Sequence, residues 1–402
     1  MFNSINTNLR MKKTILFIIC ILGLNIAKAQ ETNRVITTGV PFLLIAGDAR
    51  SAGMGDIGVA SSPDAYSQQW NPAKYAFSLD KQGFSLSYTP YLPELVNDIS
   101  LSQLTYFNRI SERSAFAGSL RYFSLGVIEF RNDNPDDPAV EVNPSEFALD
   151  LSYALKLSER FSMSVAARYI RSNLRLAQLS NDASAASSFA VDISGYYQSE
   201  EIAYEDFNGR WRGGFNFQNL GPKINYDLDE SDEGSNFLPS NLKLGGGFDF
   251  IFDEYNKVSI NAEINKLLVP TPQDPDLNGD GEITDVERAQ NNQDYRSIGW
   301  VSGIFKSFGD APGGLKEELK EVTWALGAEY WYQDSFAVRA GYFNESKEKG
   351  ARKFLSLGAG FKYNIVKLDV SYLFSTSKVR NPLENTLRFS LSFAFGDKYD
   401  EY

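Results

Sequence analysis

The chain has 402 residues, of which 43% are hydrophobic and 14% aromatic, with 39 basic and 51 acidic side chains. It contains no histidine and a single cysteine, Cys20. These counts exclude a Ser-His-Asp triad, a Cys-His pair and a histidine-ligated zinc site, because each of them needs an imidazole. An enzyme would have to work with carboxylates, Lys, Ser, Thr or Tyr alone, so the composition favours a protein that is not an enzyme.

Residues 1–29 have the features of a secretory signal peptide. Basic residues at 12 and 13 precede an apolar stretch over 14–27, and Ala27-Lys28-Ala29 gives the small-x-small pattern of a signal-peptidase site. The apolar stretch is shorter than the roughly 20 residues of a membrane-spanning helix, and Cys20 lacks the small residue that precedes a lipoprotein cysteine. A retained anchor and a lipoprotein are therefore the weaker alternatives. The mature chain would be acidic, a poor candidate for binding nucleic acid.

Period-two alternation of apolar and polar residues recurs along the rest of the chain, most clearly over 147–157 and 387–395. These runs have the length of a tilted transmembrane strand, about 9 to 11 residues, whereas soluble strands average about five or six. The pattern fits fourteen segments: 84–90, 99–108, 113–125, 145–157, 160–172, 187–198, 210–219, 240–252, 256–268, 323–333, 335–344, 354–364, 366–375 and 386–396.

The connections between these segments alternate between tight turns, such as Ser158-Glu159, and long polar loops, of which 269–322 is the longest. An even strand number with short turns on one rim and long loops on the other is typical of bacterial outer-membrane barrels. We therefore predict an all-β fold, a transmembrane antiparallel β-barrel of about 14 strands over 83–396. Its two ends and a tail at 397–402 would face the periplasm, and the 269–322 insertion would face the outside.

The polar face of the alternation carries charges whose signs tend to oppose between neighbouring strands, which predicts a salt-bridged lumen with Asp150 beside Arg168. The predicted inward charges are Asp150, Arg168, Asp192, Arg212, Glu263, Glu329, Arg339, Lys362, Asp369 and Arg388. Aromatic residues near turns, Tyr196, Tyr197, Tyr330, Trp331 and Tyr332, would form a girdle at the membrane interface. A soluble barrel is the alternative, and it predicts the opposite burial.

Residues 30–82 do not fit the strand pattern. They are rich in glycine and alanine, which let a backbone pack tightly and turn sharply. We predict that this segment is a plug or hatch inside the barrel, and a periplasmic tail is the alternative.

This segment also carries a family resemblance. The run VPFLLIAGDARSAGMGDIGVA at 40–60, followed by SPDAYSQQWNPAKYAF at 62–77, resembles the N-terminal signature of the PorV (LptO) family. Members of that family are outer-membrane barrels of the type IX secretion system. The Asn71-Pro72-Ala73 tripeptide is also similar to the hatch of FadL-like transporters of hydrophobic compounds.

The resemblance implies a FadL-like barrel that binds the C-terminal signal domains of secreted proteins. It further implies association with a giant outer-membrane translocation pore and delivery of cargo to the cell-surface attachment complex. None of these partners can be assigned to a numbered residue. The competing functions are a FadL-like channel for hydrophobic small molecules and, least favoured by composition, an outer-membrane enzyme.

The 269–322 insertion contains the pattern of a calcium-binding EF-hand loop over 276–287. Oxygen-bearing side chains stand at its first, third and fifth positions, Gly281 at the sixth and a glutamate at the twelfth. The predicted ligands are Asp276, Asn278, Asp280, the Glu282 carbonyl, Thr284 and Glu287. Prolines at 270, 272 and 275 disfavour an entering helix, so we expect a stabilising Ca²⁺ site rather than a switch. A solvated acidic loop is the alternative.

Overall fold

The computed structural model describes residues 34–130, 139–174, 185–226, 235–377 and 382–399. The predicted signal peptide and the last three residues of the predicted tail lie outside these ranges. The chain from Val35 onward forms one unit, and the description below concerns that unit.

Fourteen long strands form the main sheet, and each overlaps one of the segments in which apolar and polar residues alternate. They are β1 (Asp80–Pro90), β2 (Ile99–Arg109), β3 (Ser114–Leu125), β4 (Ser145–Lys156), β5 (Phe161–Asn173), β6 (Ala186–Gln198), β7 (Asn208–Leu220), β8 (Asn241–Ile251), β9 (Asn256–Leu267), β10 (Thr323–Tyr332), β11 (Phe336–Asn344), β12 (Lys353–Tyr363), β13 (Val366–Ser375) and β14 (Leu387–Lys398). The predicted strand number and positions are confirmed.

The strands pair antiparallel in chain order, and β14 pairs with β1 to close the ring. Closure leaves no unpaired edge, which a sheet in lipid cannot tolerate because hydrocarbon offers no hydrogen-bonding partner. The register is regular through most of the ring, for example Asp150 opposite Arg168 between β4 and β5. Small shifts occur between β1 and β14 and between β6 and β7.

Burial alternates along each strand in the sense that a membrane barrel requires. On β4, Leu149, Leu151 and Tyr153 are exposed on the outer face, whereas Asp150 and Ser152 are buried inside. Outward apolar and inward polar side chains suit lipid outside and a polar lumen. The soluble alternative, which predicted the opposite burial, is wrong.

The predicted aromatic girdle is only partly correct. Tyr197, Tyr330 and Tyr332 are exposed on the outer face, but Tyr196 and Trp331 are buried inside the ring. The reason is the period of two itself, since consecutive residues of a strand point to opposite faces. A run of adjacent aromatic residues therefore cannot lie wholly at the membrane interface.

Two barrel boundaries also differ from the prediction. β1 begins at Asp80, inside the range 30–82 given to the N-terminal segment, and β14 continues to Lys398 rather than ending at 396. Asp80 and Lys398 lie opposite each other in the register. Neither end alternates in hydrophobicity, so only their pairing reveals them as strand.

Short elements occupy the N-terminal segment and the connections. Two 3₁₀ helices (Pro41–Leu44 and Pro72–Phe77), α1 (Ala49–Ala52) and α2 (Ser67–Trp70) precede β1, and α3 (Asp285–Ser297), α4 (Trp300–Lys306) and α5 (Leu315–Glu321) lie between β9 and β10. Short strand pairs join 128–130 to 140–142 and 224–225 to 235–236, and 202–203 extends β7. No helix in the described ranges is long and apolar enough to cross a membrane.

Candidate functional site

Residues 40–77, called here the inner segment, lie against the inward faces of strands around the ring. Backbone N–H groups of the segment donate to the side chains of Ser390 on β14, Ser356 on β12 and Glu263 on β9, at 2.8 to 2.9 Å. On the other side, Ser162 of β5 donates to a carbonyl of the segment at 2.7 Å. These contacts hold residues 40–77 to inward-facing side chains of the strands, and their role as a plug stays a prediction.

Glycines in the wall allow the backbone of the inner segment to touch the backbone of the strands. A β-carbon added to Gly341 on β11 would lie 2.0 Å from the carbonyl carbon of Met54 and 2.1 Å from the nitrogen of Gly55. One added to Gly327 on β10 would lie 2.5 Å from the oxygen of Met54. Such distances are far inside van der Waals contact, so the inner segment fits only where these strand positions lack a side chain.

A chain of buried ion pairs joins the inner segment to three strands. Arg50 contacts Asp64 at 2.6 Å and Glu329 at 2.7 Å, Glu329 contacts Arg339 at 2.5 Å, and Arg339 contacts Asp369 at 2.9 Å. All five side chains are at most 10% exposed. Removing one partner of such a buried pair costs about 3 to 5 kcal/mol, because it leaves an uncompensated charge.

The inner segment carries a second buried cation, Lys74, whose ammonium donates to the carbonyl of Gly58 at 2.8 Å and to Ser61 at 3.1 Å. Burial lowers the pKa of Lys74 to about 8, because the charged form loses its hydration. Burial alone would raise the pKa of Asp64, but Lys74 and Arg50 lower it to about 2. The Asp64 carboxylate is therefore ionised at neutral pH, as the ion-pair chain requires.

The predicted inward charges face the lumen. Arg168 binds Asp150 at 2.5 Å and Asp192 at 3.0 Å, as the sequence predicted for the first pair. Lys362 is half-buried and has no side-chain partner in the described residues. The other nine predicted charges are buried: Asp150, Arg168, Asp192, Arg212, Glu263, Glu329, Arg339, Asp369 and Arg388. The sequence did not reveal Arg50 and Asp64 as their partners, because the inner segment has no strand period.

The long outer connection, residues 268–322, is called here the excursion. It is anchored by α5, a helix whose carboxylate side chains are buried and whose apolar side chains are exposed. In α5 the carboxylates Glu317, Glu318 and Glu321 are buried, whereas the apolar side chains Leu315 and Leu319 are 75% and 65% exposed. This helix therefore has its charged face turned towards the barrel and its apolar face turned outward.

Two lysines of the barrel rim hold that charged face. Lys266 of β9 contacts Glu318 at 3.1 Å and Glu321 at 2.8 Å, and Lys349 contacts Glu317 at 2.8 Å and Glu321 at 2.9 Å. Burial would raise the pKa of the Glu321 carboxyl, but hydrogen bonds from Lys266, Thr271 and Lys349 hold it below its ordinary value. Ionic contacts thus fix the excursion to β9 and to the loop between β11 and β12.

Anchoring through its charges leaves the excursion with an outward apolar surface. Phe305 is 74% exposed and Phe308 is 53% exposed, on and directly after α4. Leu315 and Leu319 are also exposed, and these four apolar side chains of the excursion are called here the outer apolar surface. Exposed apolar side chains that lie close together mark sites of protein or membrane contact.

The predicted calcium loop lies largely exposed near the start of the excursion. Asp276 accepts backbone N–H groups from Gly279 at 2.7 Å and Gly281 at 2.9 Å, and both glycines have positive φ, 75° and 85°. A positive φ at the sixth position is the reason that this loop type requires glycine there. The backbone therefore turns as the EF-hand pattern predicts, and no helix precedes the loop.

The ligand side chains are near one another in sequence but not gathered around a point. Within the described residues, no three carboxylates are arranged to hold a metal ion. Asn278 and Asp280 instead accept backbone N–H groups two residues on, at 2.8 Å. Glu287 caps α3 by accepting from the Thr284 nitrogen at 2.9 Å, while its Oε1 is buried and has no hydrogen-bond partner.

The sequence of this chain matches the family model described as "Type IX secretion system protein PorV" over residues 28–274, more than half of its length. The matched range contains the whole inner segment and strands β1 to β9. The chain belongs to the PorV family. It is accordingly an outer-membrane component of the type IX secretion system. No functionally curated protein matches the chain.

Several solved outer-membrane channels are similar to this PorV-family chain at low identity. The CymD monoaromatic hydrocarbon channel has a TM-score of 0.47 and 14% identity, with 89% of this chain and 99% of that chain covered. A Pseudomonas aeruginosa FadL homologue has a TM-score of 0.45 and 15% identity, with 88% and 99% covered. The Pseudomonas putida toluene transporter TodX has a TM-score of 0.47 and 12% identity, with 87% and 98% covered. Likeness of this degree carries no information about function.

The first prediction concerns the seat of the inner segment. Gly341→Ala should destabilise the folded barrel by about 1 to 3 kcal/mol, because the new methyl group overlaps the backbone at Met54. Gly213→Ala, on the outer face of β7, is the matched control because no atom lies within 4 Å of its added carbon. Heat-induced unfolding on semi-native gels measures both. Equal unfolding temperatures for the two variants would show that the inner segment does not rest on β11.

The second prediction concerns pH. Because the folded pKa of Glu321 is lowered, its contribution to stability is present above the ordinary carboxyl pKa of 4.5 and is lost as pH falls through the folded value. Hydrogen exchange in residues 315–322, corrected for intrinsic rate, should therefore accelerate in acid. Glu321→Gln should show exchange at least about ten-fold faster already at neutral pH, since charge-assisted hydrogen bonds contribute about 1.5 to 3 kcal/mol.

Glu348→Gln is the control for this second experiment. Glu348, in the loop between β11 and β12, pairs with Lys320 of α5, and both side chains are partly exposed. Exposed pairs contribute little, so exchange in this variant should match the wild type. Identical exchange in the two variants would contradict an ionic anchor at Glu321.

Proposed function

We propose that this barrel binds the C-terminal signal domains of secreted proteins, associates with the giant translocation pore and passes cargo to the cell-surface attachment complex. The PorV family supports the secretion system as the setting, and the outer apolar surface supports a binding role. The excursion presents large apolar side chains on a rigid, ionically anchored base. A protein partner would bury this surface, and burial of apolar area contributes about 25 cal/mol per Å².

The state of the lumen also favours binding over transport. The inner segment is almost wholly buried, and most of the charges that line the strands bind one another or the segment. An interior of this kind stabilises the fold. The two rims of the barrel are then the surfaces that can contact other molecules. We propose accordingly that the protein is not an enzyme and that its outer-membrane lipid contact is confined to the outer faces of the strands.

The third prediction tests the outer apolar surface. Phe305→Ser with Phe308→Ser should reduce recovery of cargo C-terminal domains or of the pore protein in a pull-down from detergent extract. A central aromatic contact is worth about 2 kcal/mol, which is roughly a thirty-fold loss of affinity. Tyr363→Ser is the matched control, because Tyr363 is also 74% exposed but lies on the opposite, short-turn rim. Mass spectrometry of the recovered proteins gives the readout.

The alternative is a channel for hydrophobic small molecules. Its supporting result would be purified protein that carries bound fatty-acid-like ligands and recovers neither a large pore protein nor cargo domains. Equal recovery of partners by the double variant and by Tyr363→Ser would leave the binding role intact but remove the outer apolar surface from it.

We also propose that the 276–287 loop binds a structural Ca²⁺ ion through Asp276, Asn278, Asp280, the Glu282 carbonyl, Thr284 and Glu287. The turn at Gly281 and the unpartnered Glu287 oxygen fit this ion, since a bidentate glutamate at the twelfth position would use that oxygen. A bound ion would join the loop to the start of α3. Outside the cell, roughly millimolar affinity would be sufficient.

The fourth prediction separates calcium binding from mere acidity. Wild-type protein should bind Ca²⁺ in calorimetric titration and show greater protease resistance of the excursion with Ca²⁺ than with a chelator. Glu287→Gln should lose both effects, whereas Glu282→Gln should keep them, because Glu282 would supply its main-chain carbonyl. Each variant removes one negative charge from the same loop. Equal loss in the two variants, or no binding by wild type at millimolar Ca²⁺, would contradict the assignment.

A further inference from the structure

A cavity of about 290 Å³ opens inside the ring at the short-turn rim, below the inner segment. The turn residues Asp334 and Ile365 and the strand residue Trp331 line it. In an outer-membrane barrel the short turns lie on the periplasmic side. The cavity is therefore a periplasmic mouth, distinct from the excursion on the opposite rim.

Four lysines line this mouth, and we call three of them the basic vestibule: Lys257 on β9, Lys362 on β12 and Lys367 on β13. Lys362 and Lys367 are direct cross-strand partners in the register, and both line the cavity. Like charges opposite each other on neighbouring strands are destabilising. The register therefore places two lysines opposite each other although their charges repel.

The carboxylates nearby do not offset this charge. Lys367 contacts Asp369 at 3.3 Å, but Asp369 also holds Arg339 at 2.9 Å. The buried ion-pair network contains three cations, Arg50, Arg339 and Lys367. It also contains three carboxylates, Asp64, Glu329 and Asp369, so it is neutral without Lys257 and Lys362. Lys257 and Lys362 make no side-chain ion pair or hydrogen bond within the described ranges.

Two other acidic residues, Asp80 and Asp334, line the mouth together with the fourth lysine, Lys398. Asp80 lies opposite Lys398 in the strand register, and Asp334 is exposed at its turn without an ion pair among the described residues. Arg212, the remaining guanidinium at the mouth, binds Asp249. The mouth thus keeps an excess of positive charge in a chain whose net charge is −12.

We propose that the basic vestibule binds a small multivalent anion of the phosphate class. The available cations are ammonium groups, which act as compact point charges and suit a compact, highly charged anion. The guanidinium groups, which would favour a planar carboxylate, are already occupied by carboxylates of the barrel. Trp331 stands beside Lys367, with the ammonium 5.2 Å from the ring centre, and closes one side of the site. The low-dielectric wall strengthens the field in such a cleft.

Binding of an anion would replace the repulsion between Lys362 and Lys367 by attraction of both lysines to the anion. Without the anion, Lys362 and Lys367 repel each other and the fold bears the cost. With the anion between them, both ammonium groups gain a shared partner. Occupancy should therefore raise the thermal stability of the barrel, since a ligand that binds only the folded state stabilises it.

The fifth prediction uses inorganic pyrophosphate as the probe with the full mature chain in a neutral detergent. Wild-type protein should bind it saturably in calorimetric titration and unfold at a higher temperature in its presence. Lys362→Gln should bind at least ten-fold more weakly and gain no thermal stability from the probe. In buffer without multivalent anions this variant should be as stable as wild type or more so, because the repulsion is relieved. Lys306→Gln, an exposed lysine of the excursion, is the matched control and should behave as wild type.

Two arms distinguish the source of the phosphate group. The titration is repeated in nanodiscs of phosphatidylcholine and in nanodiscs of phosphatidylglycerol. Unchanged pyrophosphate affinity in both assigns the site to a free anion, and loss of binding in phosphatidylglycerol assigns it to an anionic lipid headgroup. Equal binding by Lys362→Gln and Lys306→Gln, no saturation by wild type, or a Lys362→Gln variant less stable in anion-free buffer would each overturn the proposal.

Discussion

Most of the charges that point into the ring form ion pairs there. The period of two sends alternate side chains inward, and lipid outside leaves the polar ones no other place. Because the inner segment occupies the lumen, these charges lack bulk water as well. Opposite signs at equal height on neighbouring strands, such as Asp150 and Arg168, are one answer to this constraint. The inner segment is the other, since Arg50 supplies the cation between Asp64 and Glu329.

The same constraint distinguishes the parts of the molecule. The inward charges are largely committed to internal ion pairs, and the outward apolar side chains of the strands face lipid. The two rims differ from each other. The long-loop rim carries the excursion, with carboxylates turned inward and apolar side chains outward. The short-turn rim carries the lysines of the basic vestibule.

The barrel could be predicted from sequence because alternation is a local signal that needs no knowledge of partners. All fourteen strands follow from it, and so does the inward face of each. The content of the lumen could not be predicted in the same way. Arg50 and Asp64 lie in a segment without period, and Glu329, which Arg50 binds, is 279 residues away in sequence. The burial of Trp331 was misjudged because proximity to a turn was given more weight than the strand face. The predicted calcium loop rests on spacing alone, and it stays a prediction.

The seam between β1 and β14 has a consequence for how the chain is made. The ring stays open until the last strand is synthesised, whereas residues 40–77 are synthesised before any strand. Those early residues contact Ser162 on β5 and Ser390 on β14. The part of the described chain that is made first therefore touches the strand that is made last. The wall of the barrel and the segment inside it are built from opposite ends of the sequence.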